Sequence, residues 1–208
     1  MSIKVVNHPL LDHKMALLRS VGTSTKDFRE LLGEISTMLM YEALHDLPTI
    51  PTVIKTPLAR TKGTLVDADR AIFVSILRAG LGMVDGVLSI MPNAKFGHIG
   101  MVRNEETLQA TEYYFKMPPF KDDTTIYLLD PMLATGGTAS DSIVHLKKQG
   151  VKKIKLVVVV AAPEGIERIH TDHPEVEIIA AAIDEYINNV GYIVPGLGDA
   201  GDRVFGTV

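Results

Sequence analysis

The stretch Ile126-Tyr-Leu-Leu-Asp-Pro-Met-Leu-Ala-Thr-Gly-Gly-Thr138 decides how this chain is read. The apolar run 125–129 predicts a buried strand of a parallel sheet. Asp130 then falls at the strand's carboxyl end, where open α/β sheets bind ligands. Residues 134–138 have the composition of a loop whose successive backbone N–H groups curl inward into a concave anion site. Gly136 and Gly137 permit the unusual dihedrals that such a curl needs. A helical pattern beginning near Thr138 adds its positive dipole end. The predicted ligand is a phosphate carried on a sugar, with Asp130 accepting hydrogen bonds from ribose hydroxyls. The spacing matches neither G-x-x-x-x-G-K-[ST] nor G-x-G-x-x-G, so the usual nucleotide loops are excluded.

Outward from this loop, apolar runs predict strands at 71–77, 96–102, 154–162 and 177–183. Helical spacing covers 10–19, 24–46, 83–90, 139–148 and 163–170. Ser24 is placed to cap the longest helix, with Asp27 three residues on as an analogue of the capping box. Strand and helix alternate from residue 71, which predicts parallel β-α-β units. Residues 49–65, bounded and interrupted by Pro48, Pro51 and Pro57, read as short strands or an extended crossing segment. Residues 107–121, with Tyr113, Tyr114 and Phe115, read as a β-hairpin or flap. The tail 188–208 is glycine-rich and reads largely as loop. One domain is expected over 1–208: a helical and arm region of about 1–65, a core of about 66–185, and a C-terminal loop of about 186–208.

The chain has 208 residues, 46% of them hydrophobic and 22% charged, which suits one sizeable α/β domain. It has no cysteine, so disulfides and thiolate metal sites are excluded and a reducing compartment fits. The N-terminus shows no signal-peptide pattern, and no apolar run approaches the length of a membrane span. A net charge of −4 argues against a nucleic-acid-binding surface. The seven histidines show no ligand spacing.

Three further segments carry polar groups at strand ends or in loops. Arg78 and Arg103 each follow an apolar strand directly. A guanidinium fork suits phosphate oxygens, and two of them at equivalent strand ends beside a phosphate loop suit a diphosphate. Glu105-Glu106 reads as solvated, or as orienting Arg103 by an ion pair, in preference to ligating metal. Tyr192-Ile-Val-Pro-Gly-Leu-Gly-Asp-Ala-Gly-Asp202 packs three glycines between apolar anchors, so main-chain groups can approach a flat ligand closely.

Together these segments resemble the uracil phosphoribosyltransferase family of the type I phosphoribosyltransferases. The stretches that carry the resemblance begin with Ile76-Leu-Arg-Ala-Gly-Leu-Gly-Met, Arg103-Asn-Glu-Glu-Thr and the Asp130 to Thr138 loop. Val160-Ala-Ala-Pro-Glu-Gly and Gly191-Tyr-Ile-Val-Pro-Gly-Leu-Gly-Asp-Ala-Gly-Asp complete them, with an Asn7-His-Pro-Leu opening. The loop marks the broad superfamily and the tail marks the uracil branch. The resemblance implies an α/β fold with a mostly parallel sheet flanked by helices, a β-hairpin flap and a C-terminal base-binding hood. It implies a cytoplasmic enzyme of pyrimidine salvage that converts uracil and 5-phosphoribosyl 1-diphosphate (PRPP) to UMP and diphosphate with Mg²⁺. It implies catalytic roles for Arg103, Asp130 and Asp199. PRPP contacts fall on Arg78, Arg103, Asp130, Pro131, Met132, Leu133, Ala134, Thr135, Gly136, Gly137, Thr138 and Asp199. Uracil contacts fall on Ile193, Gly198, Asp199 and Ala200. Where the superfamily loop often has a second acid this chain has Pro131, so Mg²⁺ is expected to rest on PRPP and water with no direct protein ligand. A homodimer or larger homo-oligomer is implied, with the apolar N-terminal helices as a candidate interface, and GTP as a candidate effector; no nucleic acid or membrane partner is.

Main-chain readout predicts base selection. Uracil offers N3–H and O4, cytosine reverses both, and unpaired site groups reject such an analogue by about 10⁴-fold or more. The rival readings are a phosphoribosyltransferase for another base, a regulatory RNA-binding protein on the same fold, and a degenerate PRPP-binding module. The uracil-like tail, the absence of a basic run and the full set of loops and arginines speak against them in turn.

Overall fold

The run Ala-Ile-Phe-Val-Ser-Ile-Leu at 71–77 has no polar stripe, so it is stable only with both faces covered. The computed structural model, which describes residues 3–103 and 110–207 (backbone alone at 102, 103 and 110–112), supplies that cover. In chain order the elements are β1 (Ile3–Val5), α1 (Pro9–Arg19), α2 (Thr25–Ala43), β2 (Thr49–Lys55), β3 (Arg60–Val66), β4 (Ala71–Leu77), α3 (Val84–Ile90), β5 (Lys95–Arg103) and β6 (Ala110–Lys116). Then come β7 (Thr125–Leu129), β8 (Met132–Leu133), α4 (Gly137–Lys148), β9 (Lys153–Ala161), α5 (Pro163–Asp172), β10 (Glu177–Ile183), β11 (Tyr186–Ile187), β12 (Ile193–Val194) and α6 (Ala200–Phe205). A 3₁₀ turn at Ala79–Met83 joins β4 to α3.

The main sheet runs β1-β10-β9-β7-β4-β5-β6, with β8 also paired to β9. Every pairing in it is parallel except β5 with β6. Successive side chains of the central strands pass to opposite faces. Phe73 and Tyr127 enter one core with α1, α2, α3 and α6, whereas Ile72, Val74, Ile126 and Leu128 enter the other with α4 and α5. The chain leaves β4 toward β5 and later returns as β7 on the other side of β4. That reversal opens a crevice at the carboxyl ends of β4 and β7.

Ser24 caps α2 as its sequence predicts: its Oγ accepts from the Asp27 amide at 3.1 Å and donates to the Asp27 carboxylate at 2.8 Å. Four details differ from the sequence reading. Residues 3–5 add an edge strand. Residues 49–66 form a single antiparallel hairpin whose turn is set by Thr56, with the Thr56 amide donating to the Ala59 carbonyl at 2.8 Å. Residues 110–116 pair antiparallel with β5 as the expected hairpin, but the first strand of that hairpin is 95–103 rather than a segment within 107–121, and the pair forms the edge of the main sheet; Phe115 and Phe120 pack on the core while Tyr113 and Tyr114 stay exposed. Residues 107–109 of the predicted flap lie outside the described residues, as do Glu105 and Glu106. In the tail, 200–205 is helix rather than loop.

Candidate active site

Asp130 ends β7 half-buried at the crevice. Burial pushes its carboxyl up to about 7, against the opposing pull of the Met132 amide, which donates to Oδ1 at 3.3 Å. The chain beyond it is held to β9. The amides of Val159 and Val160 donate to the Pro131 carbonyl at 3.1 and 3.0 Å, Met132–Leu133 pairs with Val160–Ala161, and the Ala162 amide donates to Leu133. The phosphate loop therefore begins as a continuation of the sheet, on a rigid edge. It ends at Gly136, with φ +73°, as the N-cap of α4; Gly136 has no side chain to cap the helix, and the Gly137 amide donates to Thr135 Oγ1 at 3.4 Å. The start of this helix is suited to an anion by its dipole and its backbone amides. α5 lies directly behind the loop: a methyl group on Gly165 would collide with the Ala134 carbonyl oxygen and sit 2.9 Å from that of Leu133. α4 is tied to the far end of α5 by Ser140, whose Oγ donates to Asp172 at 2.8 Å.

Arg78 follows β4, and its Nη2 donates to Asp202 Oδ1 at 3.2 Å, with the guanidinium 6.0 Å from the centre of the Phe205 ring. The backbone of Arg103 ends β5 on the same sheet edge; its side chain lies outside the described residues. Asp199 is the N-cap of α6, its Oδ1 accepting from the Asp202 amide at 2.9 Å. α6 thus links two predicted ligand residues, Arg78 and Asp199, through Asp202. Sequence reasoning passes over Asp202, although Asp-x-x-Asp before a glycine at 206 is a cap-to-cap helix signal. The Leu77–Arg78 and Val194–Pro195 peptides are cis.

A crevice of about 210 Å³ lies between the start of the loop and the C-terminal segment; Arg78, Asp130 and residues 135–138 are not among the residues that line it. Met132 and Ala134 of the phosphate loop line one side, and Ile193, Gly198, Asp199 and Ala200 line the other. All four residues expected to meet the base therefore face one space with the phosphate loop. Among the described residues, no group of three His, Asp or Glu side chains is close enough to hold a metal ion. The loop offers the Asp130 carboxylate with Pro131 beside it, a donor set that suits a hydrated ion carried in by a diphosphate.

The family model for uracil phosphoribosyltransferase matches residues 5–207. The chain belongs to the uracil phosphoribosyltransferase family. It is 53% identical to the uracil phosphoribosyltransferase of Exiguobacterium sibiricum over 99% of this chain and 98% of that one. The structure of the AQ2163 protein from Aquifex aeolicus superposes with a TM-score of 0.91 at 42% identity, covering 98% of this chain and 97% of that one. The adenine phosphoribosyltransferase of Trypanosoma brucei, solved with AMP, pyrophosphate and ribose-5-phosphate, has a TM-score of 0.58 at 12% identity, over 86% and 82% of the two chains. The last likeness shows the shared type I fold. In this family member the mostly parallel sheet and its flanking helices follow that fold. No helix among the described residues is long and apolar enough to cross a membrane.

Proposed function

We propose that the chain transfers the phosphoribosyl group of PRPP to uracil, giving UMP and diphosphate in pyrimidine salvage. The observation that carries this reading is the single crevice shared by the phosphate loop and by Ile193 and residues 198–200. The loop amides ahead of α4 bind the 5-phosphate, and ionised Asp130 accepts hydrogen bonds from the ribose hydroxyls. As the bond from C1′ to diphosphate oxygen breaks, its electron pair leaves with the diphosphate, where Arg78 and Arg103 balance the growing charge. Uracil N1 bonds to C1′ from the opposite face and loses its proton. The protein's contribution is orientation and charge stabilisation. Asp202 holds Arg78 toward the crevice, and Asp199 borders both ligands. Asp130 is the loop carboxylate that would face Mg²⁺ carried in with PRPP, and the ion would supply charge neutralisation to the diphosphate. The enzyme works in the cytoplasm, which a cysteine-free chain suits, as a homodimer or larger homo-oligomer, with GTP as an effector.

The test is UMP formation from uracil and PRPP with Mg²⁺, beside Arg103→Ala and Asp130→Asn. The wild type is expected to turn over, and each variant to lose about 10²-fold or more. Cytosine is expected to be rejected; comparable transfer to cytosine contradicts main-chain readout.

A further inference from the structure

A base read by main-chain groups demands a loop fixed to a fraction of an ångström. The segment 193–200 has little rigidity of its own. Only Ile193–Val194 is paired, with β11, and Gly196 and Gly198 have φ of +63° and +79°. Its support comes from remote side chains. Asp184, just past β10 and 8% exposed, accepts from the Gly196 amide on Oδ2 at 2.8 Å. The same carboxylate takes both arms of the Arg19 guanidinium, Nη1 to Oδ2 at 2.7 Å and Nη2 to Oδ1 at 2.6 Å. Arg19 Nη1 also donates to the Gly196 carbonyl at 2.7 Å. One ion pair therefore holds the amide and the carbonyl of a single loop residue. A methyl group on Gly196 would collide with the Ile193 carbonyl oxygen, so the loop closes tightly at this residue.

The next residue is held the same way. Arg203 donates to the Leu197 carbonyl at 2.8 Å and to the Ser20 carbonyl at 2.7 Å, with its guanidinium 4.3 Å from the Phe28 ring centre. The Gly196 carbonyl is thus engaged by Arg19 of α1 and the Leu197 carbonyl by Arg203 of α6, itself anchored on Ser20 and Phe28, while 198–200 line the crevice. A buried pair adds little net stability over apolar packing, but its fixed fork geometry specifies one arrangement.

We infer that Arg19 and Asp184 are positioning residues for base selection: an ion pair from the first helix to the end of β10 sets the loop that reads uracil. The inference rests on the base-site reading above.

Asp184→Asn keeps the acceptor for Gly196 and removes the charge; Arg19→Lys keeps charge and loses the fork. Steady-state kinetics with uracil, cytosine and PRPP, together with thermal melts, test both. The expected result is a KM for uracil raised about tenfold or more, a KM for PRPP changed less than about twofold, and uracil-over-cytosine preference reduced about tenfold, since small misplacements are costly. Arg19→Lys is expected to restore part of the loss seen in Arg19→Gln. Unchanged uracil KM and preference in folded variants overturn the inference, as does a parallel rise of both KM values with a collapsed melting temperature. Should Asp184→Asn fail to fold, Arg19→Lys decides between these outcomes, because the Arg19 side chain is partly exposed. A wild type without uracil transfer sinks the base-site reading itself, and this inference with it.

Discussion

Asp130 carries the sharpest consequence of its surroundings. Its carboxyl moves from an ordinary 3.8 to about 7 because burial disfavours the charge. Between those values the folded protein holds a proton that the unfolded chain has released. The contribution to stability is therefore full below about pH 4 and is lost as pH rises through about 7. Asp130→Asn removes that slope, and its melting temperature at pH 8 is expected to exceed that of the wild type by about 3 °C or more. The proposed ribose contact needs the opposite form. The kcat/KM for PRPP is expected to fall as pH drops below about 7, a limb that the Asn variant lacks; a flat wild-type profile between pH 6 and 8 contradicts this. Arg78 separates the two demands cleanly. Its pair with Asp202 is exposed enough to contribute no more than about 1 kcal/mol. Arg78→Ala is expected to leave the melting temperature nearly unchanged while raising the KM for PRPP about tenfold or more.

At the scale of elements, α5 and α6 govern the two halves of the crevice. Gly165→Ala drives a methyl group into the Ala134 carbonyl and is expected to cost about 1–3 kcal/mol and to weaken PRPP binding, read by thermal melts and PRPP kinetics. Asp199 has two jobs, cap and charge. Asn caps a helix as well as Asp, so Asp199→Asn is expected to keep stability and lose activity, while Asp199→Ala also loses about 1 kcal/mol. Legibility in the sequence follows element type. Residues 125–129 and 177–183 are readable because strands buried on both faces are continuous apolar runs, and α2 because one face is apolar and Ser24 starts it. β1 escapes a sequence reading because three residues show no period. α6 escapes it because six residues with Val204 and Phe205 as the apolar side chains resemble a turn. Tyr113 and Tyr114 suggest a flap because an edge strand with one wet face shows aromatics much as a mobile hairpin does. Ligand-loop residues are legible as motifs, but Arg19, Asp184 and Asp202 act through contacts across more than a hundred residues that no local spacing announces.

For the whole molecule, α1 and α2 bury Leu11, Met15, Leu18, Phe28, Leu32 and Ile35 in the core yet leave Leu10, Leu17 and Tyr41 exposed. Exposed apolar surface stands also on the β2–β3 hairpin, where Ile50 and Leu65 face each other across the strands beside Leu58 at the tip. A patch of this kind is a candidate contact surface for the homo-oligomer proposed above. The pair Ile50→Asp and Leu65→Asp is expected to lower the sedimentation coefficient to that of a monomer; an unchanged value rules the hairpin out. The strand order has a consequence for synthesis. β1 leaves the ribosome long before its partner β10, and Arg19 waits 165 residues for Asp184. Vectorial folding can therefore complete the phosphate-binding half long before the first helix finds its place. A nascent chain halted after α5 carries the proposed phosphate loop with its backing helix and lacks the segment proposed to read the base.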